Sequence, residues 1–270
     1  MLNWRNERIL FFTALTFLTR IPIPAKTPYS AQHMNASARY FPLIGVVVGA
    51  IGAIAYFLIA QFWPANIAIA VSMIVTILLT GAFHEDGLAD SCDAFGGGWA
   101  RDQVLSIMKD SRIGTYAAIG LIAILSTKFL ALRAIAQPIQ IVPSLQIMQS
   151  AQIIAALVVG HSWSRLLAIS FLFDHNYVRD EDSSKIKPMA TQLSRNNLLF
   201  AALSVTPLFL LIPLAKTFGI IIALGLWRWW FGRYMRRRIG GYTGDCLGCA
   251  QQIAELLIYL VLSAQFIANG

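Results

Sequence analysis

Apolar runs of near-span length recur in this chain from residue 40 to residue 268, and no other feature limits its folding so severely. Each run approaches the roughly 20 residues that a helix needs to cross the hydrocarbon of a bilayer. Lipid offers no partner to a backbone N–H or C=O, so a crossing segment must satisfy those groups within itself, as a helix does. The charged fraction points to the same solvent: 13% of residues are Asp, Glu, Lys or Arg, where a soluble domain carries about a quarter. With 57% hydrophobic residues among 270 and a mean hydropathy of +0.63, residues 1–270 are expected to form one integral-membrane domain. Its fold class is all-α, a polytopic membrane helical bundle.

Residues 4–19 are short for a span and carry polar side chains through the middle, so an N-terminal interfacial or re-entrant helix is expected there. This segment reads as retained, because the apolar run after Arg5, Glu7 and Arg8 ends at Arg20 and Pro22 with no small-residue cleavage site. Pro22, Pro24 and Pro28 then forbid a continuous helix. About seven transmembrane helices follow, at about residues 40–63, 67–83, 113–135, 147–173, 198–215, 218–231 and 249–268. Gly45, Gly49 and Gly52 mark a smooth face for helix packing on the first, and Trp227, Trp229 and Trp230 an aromatic belt on the sixth. Residues 174–197 are polar and read as an exposed loop.

Charge asymmetry orients this bundle. If the N-terminus and segments 20–39, 84–112, 174–197 and 233–247 share one side, nearly every Lys and Arg lies there, while the opposite loops keep little beyond Arg133 and Lys216. By the positive-inside rule the loaded side is cytoplasmic. The net charge of +8 is then accounted for by anionic lipid or phosphate-bearing substrates, and no nucleic-acid partner is expected. Cys92, Cys246 and Cys249 make no disulfide framework; Cys246-x-x-Cys249 alone is a weak zinc signal that lacks two further ligands, since the four histidines show no paired ligand spacing, and the thiols read as packing residues.

Against this apolar background, residues 84–98 stand out, with Glu85, Asp86, Asp90 and Asp93 inside ten residues, followed by Gly96, Gly97 and Gly98. In a helix Asp86, Asp90 and Asp93 fall at i, i+4 and i+7, three like charges on one face. Such a face repels itself, and a divalent cation with hard oxygen ligands, Mg2+ or Mn2+, is the usual remedy. A solvated acidic loop between two spans is the alternative. Lys109 and Arg112 follow as candidate anion contacts, and Asp245, Glu255 and the run Arg236 to Arg238 lie on the same expected face. His161 and Arg165 sit inside the fourth apolar run, where ionisable groups are costly enough to suggest function, although Arg165 could also reach for the interface.

Five segments together resemble the cobalamin synthase family of adenosylcobinamide-GDP ribazoletransferases: Phe17-Leu18-Thr19-Arg20-Ile21-Pro22, Arg39-Tyr40-Phe41-Pro42-Leu43-Ile44-Gly45, His84-Glu85-Asp86-Gly87-Leu88-Ala89-Asp90 with Asp93, Met108-Lys109-Asp110-Ser111-Arg112-Ile113-Gly114, and Gly241-Tyr242-Thr243-Gly244-Asp245. The resemblance implies a multi-pass catalytic domain of the bacterial inner membrane whose active site faces the cytoplasm. It implies a transferase of vitamin B12 assembly in which a hydroxyl of α-ribazole, or of its 5′-phosphate, attacks the cobinamide-attached phosphate of adenosylcobinamide-GDP. GMP leaves, adenosylcobalamin or its 5′-phosphate forms, and Mg2+ is required. Partners would be these substrates and the lipid bilayer, with self-association or association with other B12-assembly enzymes left open. Chemistry of this kind needs charge neutralised on the transferred and leaving phosphates and a group to accept a proton. The expected metal ligands are Asp86, Asp90, Asp93 and Asp245. Glu85, His84 and Glu255, with Asp86, are the catalytic candidates, and the proton acceptor stays open among the first three. Lys109, Arg112 and one of the Arg236, Arg237 and Arg238 run would hold phosphate oxygens. No substrate role carries over to His161-Ser162-Trp163-Ser164-Arg165 or to residues 174–197. Two other readings remain: a CDP-alcohol phosphotransferase-like phospholipid synthase, although Asp90 stands where that pattern has Arg, and an ion-coupled transporter.

Overall fold

The structure is a computed structural model that describes residues 4–23, 30–136, 144–178 and 190–265, with backbone alone for 144–150. Among these residues the regular elements are helices. They run as α1 (Trp4–Leu18), α2 (Ala31–Ser37), α3 (Phe41–Ala60), α4 (Ala65–Thr80), α5 (Phe83–Gly97), α6 (Arg101–Ile107), α7 (Thr115–Ile135), α8 (Ser144–Asp174), α9 (Arg195–Val205), α10 (Leu214–Ile239) and α11 (Gly244–Ser263). Several starts are written in the local sequence. Ser30, Ser194 and Thr243 accept from the backbone N–H three residues on, at His33, Asn197 and Cys246, which caps α2, α9 and α11. Pro64 and Pro213 stand just before α4 and α10.

By length and composition, four segments can cross a membrane: 31–60, Thr115–Ile135, Ala151–Asp174 and Gly244–Ser263. The pair α4 and α5 makes a fifth if a bend of 88° is counted within one span. The expected count of seven is therefore not confirmed. Two of the expected spans take other forms. Residues 198–215 are split, because α9 stops at Val205, a tighter 3-10 stretch runs Thr206–Leu211, and Pro213 starts a new helix. Pro207 and Pro213 each lack a backbone donor and disfavour helical backbone in the residue before them. The 218–231 stretch is the middle of α10, which carries Arg236, Arg237 and Arg238 in its last turn.

The 88° turn lies at Gly81 and Ala82, both left-handed with φ of 69° and 58°. Residues beyond Phe83 thus do not trail into a surface loop; they fold back as α5 against α7 and α11. The Arg20 N–H donates to Leu79 O at 2.8 Å, which fixes the end of α1 to this elbow. On its other side α1 is tied through Glu7, which accepts from Arg39 and from the Tyr40 hydroxyl.

Buried α8 and α11 form the centre. The α3 glycines pack as expected of a smooth face: a Cβ on Gly49 would lie 2.6 Å from Leu157 O of α8, and one on Gly45 would collide with His161 O. Such contact between backbones is how helices associate when lipid removes the usual hydrophobic drive. Around residue 242 the chain is pinned rather than free. Val178 N donates to Tyr242 O at 3.0 Å, Tyr242 N to Asn176 O at 2.9 Å, and the Tyr242 hydroxyl to Thr191 O at 3.0 Å. The described ends of the 174–197 segment are therefore docked, where an exposed loop was expected, and its middle, 179–189, lies outside the described residues. The three cysteines are free thiols, with Cys246 and Cys249 buried.

Candidate active site

Helix α5 carries the acidic face. It crosses α11 where two glycines meet, since a Cβ on Gly87 would lie 2.9 Å from Asp245 O and 3.2 Å from Gly248 Cα. Only glycine permits that approach, which packs the backbone of the acidic helix against the start of α11, where Asp245 lies. Asp86 is exposed, and Asp90 and Asp245 are half-buried. Asp93, on the same helix, is engaged by a neighbour. Its carboxylate accepts from Gly114 N at 2.6 Å and Ala117 N at 2.9 Å, so it caps α7 from a neighbouring helix. Among the described residues no three His, Cys, Asp or Glu side chains converge as a metal cage. Mg2+, however, usually takes one or two carboxylates and completes its shell with water and substrate phosphate. The carboxylates of Asp86, Asp90 and Asp245 have the donor chemistry for such a shared ion.

Behind the acidic face lies a buried polar cluster within the bundle. Its members are Lys128 at 3% exposure, His161 at 6%, Arg165 at 2%, Gln251 at 0%, Gln252 at 2% and Glu255 at 4%. Lys128 Nζ donates to Gln252 Oε1 at 2.6 Å and to Glu255 Oε1 at 2.9 Å. Glu255 is saturated, for Tyr259 O–H reaches Oε1 at 3.3 Å, while Gln251 Nε2 donates to Oε2 at 2.7 Å and His161 Nδ1 lies 3.1 Å from it. Arg165 Nη1 donates to His161 O at 2.7 Å, and its Nε makes no hydrogen bond. Gln252 Nε2 donates to Glu85 Oε1 at 2.9 Å, and the second oxygen of Glu85 is buried without a hydrogen bond. His84, also buried, lines the same cavity. Two cations, Lys128 and Arg165, thus face two carboxylates, Glu85 and Glu255, a balance that buried charge requires.

The basic candidates are spread around this site. Lys109 is exposed. Arg112 grips Asp110, with Nη2 donating to Oδ2 at 2.6 Å, and those hydrogen bonds hold the Asp110 carboxyl down at about 2. Arg236 Nη2 donates to Asp174 O at 3.1 Å, and Arg237 is exposed. Arg238 is the member of that run that touches α5, donating to the carbonyls of Phe95 and Gly98 at the end of the helix, where the helix dipole favours a cation. Lys128, Gln251 and Tyr259 are not singled out by sequence alone, and Gln252 stands beside Glu255 in the last apolar run without a role. The signal for Lys128 was present: one cation in the middle of an apolar run.

The chain matches known proteins along most of its length. A family model described as cobalamin-5-phosphate synthase covers residues 10–263. An adenosylcobinamide-GDP ribazoletransferase of Shewanella amazonensis is 43% identical over 263 residues, 97% of each chain. A protein of the same name from Vibrio cholerae serotype O1 is 45% identical over 262 residues, 96% of this chain and 95% of its own. Another, from Shewanella woodyi, is 44% identical over 260 residues, 96% of each chain. No solved structure matches.

Proposed function

The chain belongs to the cobalamin-5-phosphate synthase family, and from that premise we propose that it joins α-ribazole, or its 5′-phosphate, to adenosylcobinamide-GDP with release of GMP. The observation that supports the site is the Gly87–Gly248 crossing, which packs the backbone of the acidic helix against the start of α11. One or two of the carboxylates Asp86, Asp90 and Asp245 would hold Mg2+ there, with substrate phosphate and water completing its shell. When bound, the ion supplies positive charge to the pyrophosphate oxygens, as a metal does in phosphoryl transfer generally. Asp93 is assigned to positioning, because its oxygens are taken by the α7 amides.

Among the proton acceptors left open by sequence, Glu85 fits best. Glu255 already accepts from four groups, whereas Glu85 keeps Oε2 without a hydrogen bond and adjoins Asp86. In the reaction the nucleoside hydroxyl forms a bond to the cobinamide-bearing phosphorus, the bridging P–O bond to GMP breaks, and the hydroxyl proton passes to Glu85. Lys109, Arg112, Arg236 and Arg237 would hold the phosphates, with Arg112 shared between Asp110 and substrate. The cation-rich side, and with it the site, would face the cytoplasm.

Purified protein in bilayers, given adenosylcobinamide-GDP, α-ribazole and Mg2+, is expected to release GMP, which neither a phospholipid synthase nor a transporter does. Asp90→Asn and Glu85→Gln should each insert normally and lose at least about two orders of magnitude in turnover, the scale of losing one electrostatic element of a transition-state site. Asp90→Asn should also lose the thermal stabilisation that Mg2+ gives the parent. Near-parental turnover of either variant removes that residue from the site.

A further inference from the structure

Buried Lys128 calls for an explanation that Glu255 alone does not supply. An ammonium in the middle of an apolar helix costs several kcal/mol to bury, and a well-packed apolar pair is often as stable as a buried ion pair. The rest of its hydrogen bonding leads to the acidic helix. Lys128 can only donate, so the Gln252 side chain must turn its carbonyl oxygen toward Nζ, which it meets at 2.6 Å. That fixes the amide the other way round and leaves its two N–H groups for Glu85 Oε1 at 2.9 Å and Gln251 Oε1 at 3.0 Å. An amide that could otherwise flip has one orientation here. Glu85 Oε1 is thereby held, and Oε2 is the oxygen left over.

We infer that Lys128 and Gln252 are positioning residues for the reaction, acting in series: the Lys128 ammonium orients the Gln252 amide, and that amide orients the Glu85 carboxylate so that Oε2 meets the proton of the attacking hydroxyl. Glu255 neutralises Lys128 and is held by Gln251, Tyr259 and His161, which keeps the donor end of the series stationary. Supports of this kind behind a reacting group hold it within the fraction of an ångström that catalysis needs. The inference rests on Glu85 as proton acceptor, and the test separates the two.

Turnover and KM for both substrates would be measured on full-length protein in bilayers, with melting temperature followed alongside, for Glu85→Gln, Gln252→Leu, Lys128→Met and the pair Glu85→Gln with Gln252→Glu. Gln252→Leu and Lys128→Met should each lower kcat roughly 10- to 100-fold, the loss expected for a misplaced reacting group, with both KM values within about threefold of the parent. In the paired variant a carboxylate at 252 can accept from both Lys128 and the new amide at 85, so the hydrogen-bonded series is rebuilt with reversed polarity. It should recover the melting temperature lost in Gln252→Leu and remain inactive. Unchanged kcat in Gln252→Leu, or a loss confined to melting temperature or to KM, overturns the positioning role. If Glu85→Gln itself keeps turnover, the assignment of Glu85 fails first and the positioning role with it. Should Gln252→Leu fail to fold, Lys128→Met together with Gln252→Leu replaces the polar link by apolar volume, and a folded, fully active double variant sinks the inference.

Discussion

Asp93 separates two tasks that look alike in a string of acids. Sequence spacing placed it with Asp86 and Asp90 on one helical face, and that geometry is sound, since all three lie on α5. What spacing could not contain is the neighbour: the first amides of α7, 21 and 24 residues on, take both Asp93 oxygens. Asp93→Ala should therefore cost about 1 kcal/mol of stability, as the loss of a helix cap does, with or without Mg2+, in thermal unfolding of the purified protein. A ligand role predicts the reverse pattern, a loss seen only when Mg2+ is present. The same limit hid Gln252. Acids and an intramembrane lysine announce themselves through their desolvation cost, but a glutamine gains meaning only from its partners, and Lys128 lies 124 residues away. Glu255 was legible as a candidate proton acceptor; that its oxygens are already taken was not.

Among the elements, the α4–α5 elbow does most to place the site. Sequence carried an apolar span to residue 83 and left the acids at a surface, because hydropathy records where an apolar run ends and says nothing of where the chain turns next. The turn itself rests on Gly81 and Ala82, both with positive φ. Gly81→Ala should destabilise by about 1–2 kcal/mol, the cost of holding a Cβ in left-handed backbone. The added methyl would also stand 2.5 Å from Arg20 Nε, so that side chain must move aside. Ala82→Gly relieves strain of the same kind and should leave the melting temperature unchanged or raise it, and a marked loss in that variant would mean that the elbow is held by something other than its backbone. Glycines of α3 are legible as a packing face, and Gly45 and Gly49 do meet α8 while Gly52 meets α4, whereas the break of 198–215 is not read from hydropathy although Pro207 and Pro213 stand in plain view. A long apolar run outweighed two prolines that a helix cannot accommodate in its interior.

At the scale of the whole molecule, the class was legible and the path through the membrane was not. Hydropathy scores each segment by itself, so it does not distinguish a crossing from a helix that folds back, as α5 does, or one that carries arginines in its last turn, as α10 does. Orientation remains testable. In a cysteine-free background, a cysteine at exposed Lys109 should react with an impermeant thiol reagent only when the cytoplasmic side is opened, and one at exposed Gln61 should react from outside. Labelling of position 109 in intact cells would invert the bundle. Cys246 cannot report on this, because it is buried. The link between Lys128 and Glu255 has one more consequence, which lies in how the protein is made. The two are 127 residues apart, so at about 5–20 residues per second the ribosome leaves the lysine without its carboxylate for roughly ten seconds. Throughout that interval α7 carries a cation without its ion-pair partner, and such a charge belongs at the bilayer edge rather than its centre. It settles once α11 has emerged and brought the opposite charge. The order of helices along the messenger is therefore also a timetable, in which the charge written first waits for the one written last.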